Sequence, residues 1–184
     1  PHPGNAALGA VDDTGLTERV GRSLGAELAA AGVDLDLAPV ADANTDPANP
    51  VIGVRSFGAD PALVGRHTAA YVAGLQSAGV GACVKHFPGH GDTHVDSHLA
   101  LPVVDAALDV LRSRELVPFG AAVSAGAVAV MTSHVLLEAF DDLEPATLSR
   151  AVLTGLLRDE LGFGGVIVTD ALDMAGASAV HGIG

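Results

Sequence analysis

Chemically capable side chains concentrate in one stretch, Lys85-His86-Phe87-Pro88-Gly89-His90-Gly91-Asp92-Thr93-His94-Val95-Asp96-Ser97-His98. Four of the chain's eight His and its only Lys fall there. His86, His90, His94 and His98 recur every four residues, which on a helix would line one face and suit zinc. Pro88, Gly89 and Gly91 break any helix at that point, so no metal site is expected from them. Lys85 closes an apolar run. A lone ammonium there is either a snorkelling or ion-paired side chain or, with His86, a hydrogen-bond donor aimed into a site, and the adjoining glycine-rich loop favours the second reading. Asp96 stands two residues before His98, placed to orient that imidazole and to favour its protonated form, which is how a His is tuned for acid/base work. Taken alone, an Asp-x-His pair on a loop is a weak signal and more often a solvated turn, and its neighbours give it weight. A further carboxylate, Asp170, ends the apolar run Val166-Ile167-Val168-Thr169. It reads either as the N-cap of a helix starting near Ala171 or as a nucleophile at the C-terminal end of a parallel strand.

The elements that must position these groups can be read from period. Short apolar runs alternate with longer helical segments, the pattern of a parallel sheet covered by helices. Four strands are expected, at Leu35 to Val40, Gly81 to Lys85, Val128 to Thr132 and Val166 to Thr169, each nearly continuous in apolar residues as a doubly covered strand should be. Helices are expected from about Leu16 to Ala31, stopped by Gly32, and from the Asp60-Pro61 cap to about Ala78. Two helical pieces divided near Pro118 are expected between Asp105 and Ala125, and a last helix from about Ser149 to Leu161. The unpatterned loops Ala41 to Ala59 and His86 to Val104 leave the C-terminal ends of strands, where parallel α/β folds place their chemistry.

Composition sets the bounds. The chain of 184 residues is about one domain's worth, short of the roughly 250 residues of a complete (β/α)8 barrel. A formal net charge of −13 provides no positive field for a nucleic-acid backbone or an anionic membrane. With 49% hydrophobic and 17% charged residues the chain must bury a large core rather than stay disordered. Cys83 stands alone, which excludes an internal disulfide framework and a Cys-based zinc cage. Leu116 to Leu137 lacks formal charges and is long enough to cross a bilayer, but Pro118, Gly120, Ser124 and Gly126 interrupt it, so a buried helix followed by a buried strand is expected. Residues 1–20 show no signal peptide. The compartment stays open between cytoplasm and a secreted or lipoprotein form, on the expectation that the natural N-terminus is absent.

The segment from Leu156 to Asp173, including Gly162-Phe163-Gly164-Gly165-Val166-Ile167-Val168-Thr169-Asp170, resembles the signature of family 3 glycoside hydrolases around their nucleophile. The Lys85 to His98 stretch, followed by Leu101-Pro102, is similar to the loop of that family's β-N-acetylhexosaminidase branch. Pro3-Gly4-Asn5, Ala38-Pro39-Val40 with Asp42, and Asn49-Pro50-Val51-Ile52-Gly53 with Arg55-Ser56-Phe57-Gly58 extend the resemblance over essentially the whole chain. It implies an α/β fold, a partial (β/α)8 TIM-like barrel of about four βα units whose strands resemble the fourth to seventh, with residues 1–184 forming part of the family's N-terminal barrel domain. It also implies a catalytic set in which Asp170 is the nucleophile and His98, oriented by Asp96, the acid/base, while Arg55, Lys85 and His86 bind the terminal sugar. His134 and Asp42, each at a strand end, are candidates for active-site or supporting roles.

The activity that the resemblance implies is that of a retaining exo-β-N-acetylglucosaminidase acting on cell-wall fragments or chitooligosaccharides, with no metal or cofactor. A β-glucosidase, a glycoside phosphorylase and an inactive truncated sugar-binding remnant are the alternatives. A carboxylate that attacks the anomeric carbon and an imidazole that first donates and then accepts a proton are chemically sufficient for retention. The family's preceding three strands, its last strand and its Asp-Gln-Glu-Gly-Gly-Arg segment are expected to be missing, so the 184 residues alone should hydrolyse poorly and associate through uncovered sheet edges.

Overall fold

The computed structural model of the protein describes residues 1–97 and 99–178; His98 and residues 179–184 lie outside the described residues. The strands are β1 (Leu35–Asp36), β2 (Gly81–Phe87), β3 (Val103–Val104), β4 (Ala129–Thr132), β5 (Leu136–Leu137), β6 (Asp141–Pro145) and β7 (Val166–Thr169). The helices are α1 (Asn5–Val11), α2 (Thr14–Ala30), α3 (Pro61–Ser77), α4 (Leu108–Ser113), α5 (Leu116–Ser124) and the short α6 (Ala175–Ser178), with a π-helix at Ala151–Glu160. β1, β2, β4 and β7 form one parallel sheet in that order, and the barrel they begin is not closed. The expected α/β parallel architecture is therefore observed, in an open form.

Alternation along the strands divides the sheet into two faces. Ala82, Val84, Val130 and Ile167 pack with the helices, while Cys83, Ala129, Met131 and Val168 form a separate apolar layer on the other face. The outer strands are only partly covered, with Leu35 41% and Val166 61% exposed, so the expectation of strands buried on both faces holds for β2 and β4 but not for β1 and β7. A sheet edge without a neighbour leaves side chains open however apolar its sequence.

Local chemistry sets the element boundaries. The expected strand at 35–40 is interrupted. Leu35 and Asp36 pair with Gly81 and Ala82, and pairing resumes only where Val40 bridges Lys85, because Pro39 has no N–H to give the ladder. Asp60 caps α3 by accepting the Ala62 N–H at 2.9 Å, with Pro61 at the first helical position. The division between α4 and α5 falls at Arg114 and Glu115 rather than near Pro118. Pro118 sits in the first turn of α5, where a missing N–H costs no helical bond. The Leu116 to Leu137 run thus resolves into α5, a turn through Gly126 at φ +81°, and β4, and no helix among the described residues is long and apolar enough to cross a membrane. A small second sheet, β3-β5-β6, lies outside the expectations from sequence.

Two ties hold the helical layer and the last strand. Asp12, at φ 54°, accepts from Arg66 Nη2 at 2.7 Å and pairs with His67 Nε2 at 3.1 Å, and His67 Nδ1 lies 2.8 Å from the Thr17 hydroxyl. Thr17 and His67 are fully buried, so this Asp-His-Thr line joins α1, α2 and α3 and presents no nucleophile to solvent. Arg158 donates to the carbonyls of Phe163 and Gly165 at 2.8 and 2.7 Å, fixing the turn that launches β7.

The contact between α2 and α3 is made close by glycine. A Cβ on Gly74 would stand 2.1 Å from the Glu18 carbonyl oxygen, whereas one on Gly120 of α5 would meet nothing within 4 Å. Gly74→Ala is therefore expected to lower stability by about 1–3 kcal/mol, and Gly120→Ala to leave it level or raise it by about 0.5–1 kcal/mol. Denaturant midpoints of the two variants test this; equal midpoints would contradict the close approach of the helices.

Candidate active site

Period-two alternation carries the inner apolar layer directly into polar groups. Cys83 is followed two residues later by Lys85, and Val168 by Asp170, so both charges extend the inner rows at the C-terminal ends of their strands. His86 would normally point to the other face. However, β2 contains one extra residue, since Val84 pairs with Val130 while Phe87 pairs with Thr132. Such a bulge re-aims a side chain, and both Lys85 and His86 line the same cavity.

That cavity has a volume of about 150 Å³ and is also lined by Arg55, His90, Ser97 and Asp170, with Leu37, Val51 and Met131 as its apolar wall. Sites for drug-sized ligands usually enclose some 300–1,000 Å³, so this one suits a single small ring. A second groove of about 370 Å³ shares Leu37, Arg55 and Lys85 with it. The structure thus brings Arg55, Lys85, His86 and Asp170 together. Asp96 lies partly buried on the loop that provides Ser97, its carbonyl accepting from the Leu99 and Ala100 N–H groups at 2.9 and 3.1 Å. The sixth expected residue, His98, lies outside the described residues.

Asp42 organises the cavity floor. It is wholly buried and accepts the His86 ring Nδ1–H at 2.7 Å, the His86 N–H at 3.2 Å and the His90 N–H at 2.8 Å. Burial pushes its carboxyl up, but the pairing with His86, the proximity of His90 and the His90 N–H outweigh burial and hold it below the ordinary carboxylate value. With Nδ1 donating to Asp42, Nε2 of His86 is free to accept from Arg55 Nη2 at 3.4 Å. Burial, and after it the Arg55 guanidinium, lower the Lys85 ammonium below its usual value, with Asp170 acting in the opposite sense. The Asp170 N–H bonds the Thr132 carbonyl at 3.2 Å and its carboxylate accepts the Ala171 N–H at 2.8 Å. His134 sits behind this turn, fully buried, its Nε2–H donating to the Ala171 carbonyl at 3.0 Å. Asp42 and His134, candidates from sequence, therefore act as supports to His86 and to the Asp170 segment.

Three participants lie outside the set of site residues expected from sequence. Asn49 donates from Nδ2 to the His90 and Thr93 carbonyls at 2.9 and 3.0 Å, and its Oδ1 accepts the Val51 and Ile52 N–H groups at 2.9 and 2.7 Å. It locks the Arg55 loop to the His-rich loop, and its only prior signal was membership of the Asn49-Pro50-Val51 motif. His90 stacks edge-on to His86, ring centroids 6.2 Å apart. Glu115 lies under the loop. A Cβ on Gly89 would come 2.6 Å from its Oε2, its Oε1 accepts Arg114 Nε–H at 2.6 Å, and Arg114 also pairs with Asp92. Among the described residues, no three His, Cys, Asp or Glu side chains gather into a group that could hold a metal. His86 is bonded to Asp42, His90 lies against Thr93 and Ser97, and the His94 side chain is 81% exposed beside Asp46.

An open parallel sheet with a small cavity at its carboxyl end, walled by a carboxylate, two cationic side chains and imidazoles, defines an α/β protein of the class that carries its chemistry at the strand ends. Residues 1–183 match the glycosyl hydrolase family 3 N terminal domain, and the chain belongs to that family. It is 44% identical over 172 residues to a β-hexosaminidase A of Pseudoalteromonas piscicida, covering 87% of this chain and 29% of that protein. A family 3 β-N-acetylglucosaminidase from a Paenibacillus species superposes with TM-score 0.97 at 51% identity, covering all of this chain and 35% of that one. A β-glucoside phosphorylase superposes at TM-score 0.93 and 30% identity, over 97% of this chain and 34% of that one. The chain spans about a third of the length of each.

The loop's support should respond to pH through Glu115. Burial pushes its carboxyl up to about 7 from 4.5, with Asp42 and Asp92 adding to the effect and Arg114 opposing it. The folded state then holds this proton more tightly than the unfolded chain. Its contribution is complete below pH 4.5 and is lost as pH rises through about 7. Stability measured by denaturation across that window should fall with pH in the wild type relative to Glu115→Gln. Parallel curves for the two would contradict the buried acid.

Proposed function

We propose that the chain is the catalytic part of a retaining exo-β-N-acetylglucosaminidase that releases terminal β-linked N-acetylhexosamine from cell-wall fragments or chitooligosaccharides. The observation that carries this reading is the convergence of Asp170, Arg55, Lys85 and His86 on one cavity of about 150 Å³, matched to one sugar ring. The names borne by its family 3 relatives support the N-acetylhexosamine specificity.

In this reading Asp170 attacks the anomeric carbon while the bond to the leaving oxygen breaks. His98, oriented by Asp96, delivers its proton to that oxygen. A glycosyl ester on Asp170 results. The now neutral imidazole takes a proton from water as the water attacks the anomeric carbon and the bond from that carbon to Asp170 breaks, which restores the carboxylate and the imidazolium and gives product with retained configuration. Arg55, Lys85 and His86 hold the sugar's hydroxyl groups. His86 is held rigid by Asp42, so its hydrogen bond can strengthen as charge builds on the ring without first paying for reorientation.

Likeness to a β-glucoside phosphorylase favours one second reading, in which phosphate rather than water takes the glycosyl group. An imidazole in place of a carboxylate puts no negative charge in the path of a phosphate. Incubation with a chitooligosaccharide in phosphate buffer separates the two, since free N-acetylglucosamine supports hydrolysis and a sugar 1-phosphate supports phosphorolysis.

Asp170→Asn, in the full gene product that carries this chain, is expected to lower turnover by about 10⁴-fold or more, as removal of a nucleophile does. A slow fluorosugar should leave a covalent adduct on position 170. An adduct elsewhere would sink the assignment.

A further inference from the structure

Ser97 stands where the tip of the His-rich loop meets the rest of the molecule. On one side of it His94 and Val95 are exposed, and on the other Leu99 is 79% exposed, yet Ser97 itself is 3% exposed. Its hydroxyl lies 2.9 Å from Nε2 of His90, and its carbonyl accepts the Gly176 N–H at 3.0 Å. These two bonds come from different parts of the fold. His90 belongs to the cavity floor, its N–H bonded to Asp42 at 2.8 Å, its Nδ1 2.6 Å from the Thr93 hydroxyl and its carbonyl held by Asn49 at 2.9 Å. Gly176 belongs to the helix that follows Asp170, and its backbone comes so near that a Cβ there would stand 2.9 Å from the His134 Cβ and 3.0 Å from the Ser97 carbonyl oxygen.

The His90 ring is 2% exposed, burial lowers its pKa with Asp42 opposing, and its two nitrogens each lie within hydrogen-bond distance of a hydroxyl. Both are in use, one toward Thr93 and one toward Ser97. The ring thereby acts as a strut between the two hydroxyls.

We propose that Ser97 is a positioning residue, fastening the tip that carries Asp96 and His98 to the cavity floor through His90 and to the segment behind the nucleophile through Gly176. The inference rests on the glycosidase reading above. A general acid works only within hydrogen-bond reach of the departing oxygen, and a displacement of about 1 Å can cost about a hundredfold. Releasing one of the two bonds should therefore weaken proton delivery specifically. A leaving group that departs as a stable anion does not need that proton, whereas a poor one does.

The test compares kcat/KM on the phenyl and dinitrophenyl N-acetyl-β-glucosaminides for Ser97→Ala in the full gene product. A loss of about tenfold or more on the phenyl glycoside with less than about threefold on the dinitrophenyl glycoside is expected. Gly176→Ala, which pushes on the same residue from the other side, should give the same asymmetry and serves if Ser97→Ala does not fold. Equal losses on both substrates, or full activity on both, overturn the positioning role while leaving the glycosidase reading intact. A wild-type protein that cleaves neither glycoside overturns that reading and the positioning role with it.

Discussion

One buried carboxylate ties the site together. Asp42 has no access to water, and an isolated charge in such a place would be prohibitive. It is tolerated because the end of β2 and the loop beyond it surround it with donors, the ring and N–H of His86 and the N–H of His90. The requirement works in both directions. The carboxylate needs those donors, and the donors fix where the loop runs, so the orientation of His86 toward Arg55 results from satisfying Asp42. The Asp42 carbonyl is committed as well, accepting the Ser56 hydroxyl at 2.6 Å one residue after Arg55.

From that point the constraints spread outward through short polar links rather than through the apolar core. Asn49 uses both ends of its amide to join the two long loops, so neither can move without the other. Gly91 has its Cα where a Cβ would strike the Ala43 carbonyl oxygen at 1.8 Å, which makes the contact between these loops a backbone-on-backbone one. The turn entering β7 is held separately by Arg158, and the turn leaving it by His134, so the carboxylate of Asp170 is fixed from below and behind. The apolar layers set the height and tilt of the strands, and the polar links decide which side chains reach the cavity.

Much of this was legible residue by residue. Lys85 and Asp170 were recognisable because each closes an apolar run, and strand period alone puts them at the same end of a parallel sheet. The helix from Asp60-Pro61 was legible from cap chemistry that acts within a few residues. Less legible were features that depend on a partner distant in sequence. Strand β1 shortened because Pro39 cannot donate to a neighbouring strand, and the break between α4 and α5 fell at Arg114 and Glu115, the pair turned inward toward Asp92 and Gly89. The sheet β3-β5-β6 joins segments too short to announce themselves by period.

The linear order of residues was thus enough to determine the α/β class, the strand ends that carry charge and the family, because each rests on local period, local caps or contiguous motifs. Tertiary structure alone decided that a one-residue bulge sends Lys85 and His86 into the same cavity, that Asp42 lies beneath that cavity rather than in its lining, and that Asn49, His90 and Ser97 link loops far apart in the chain. The physical reason is that a buried polar group must find its partners wherever the folded chain places them, and those partners carry no mark in the sequence around it.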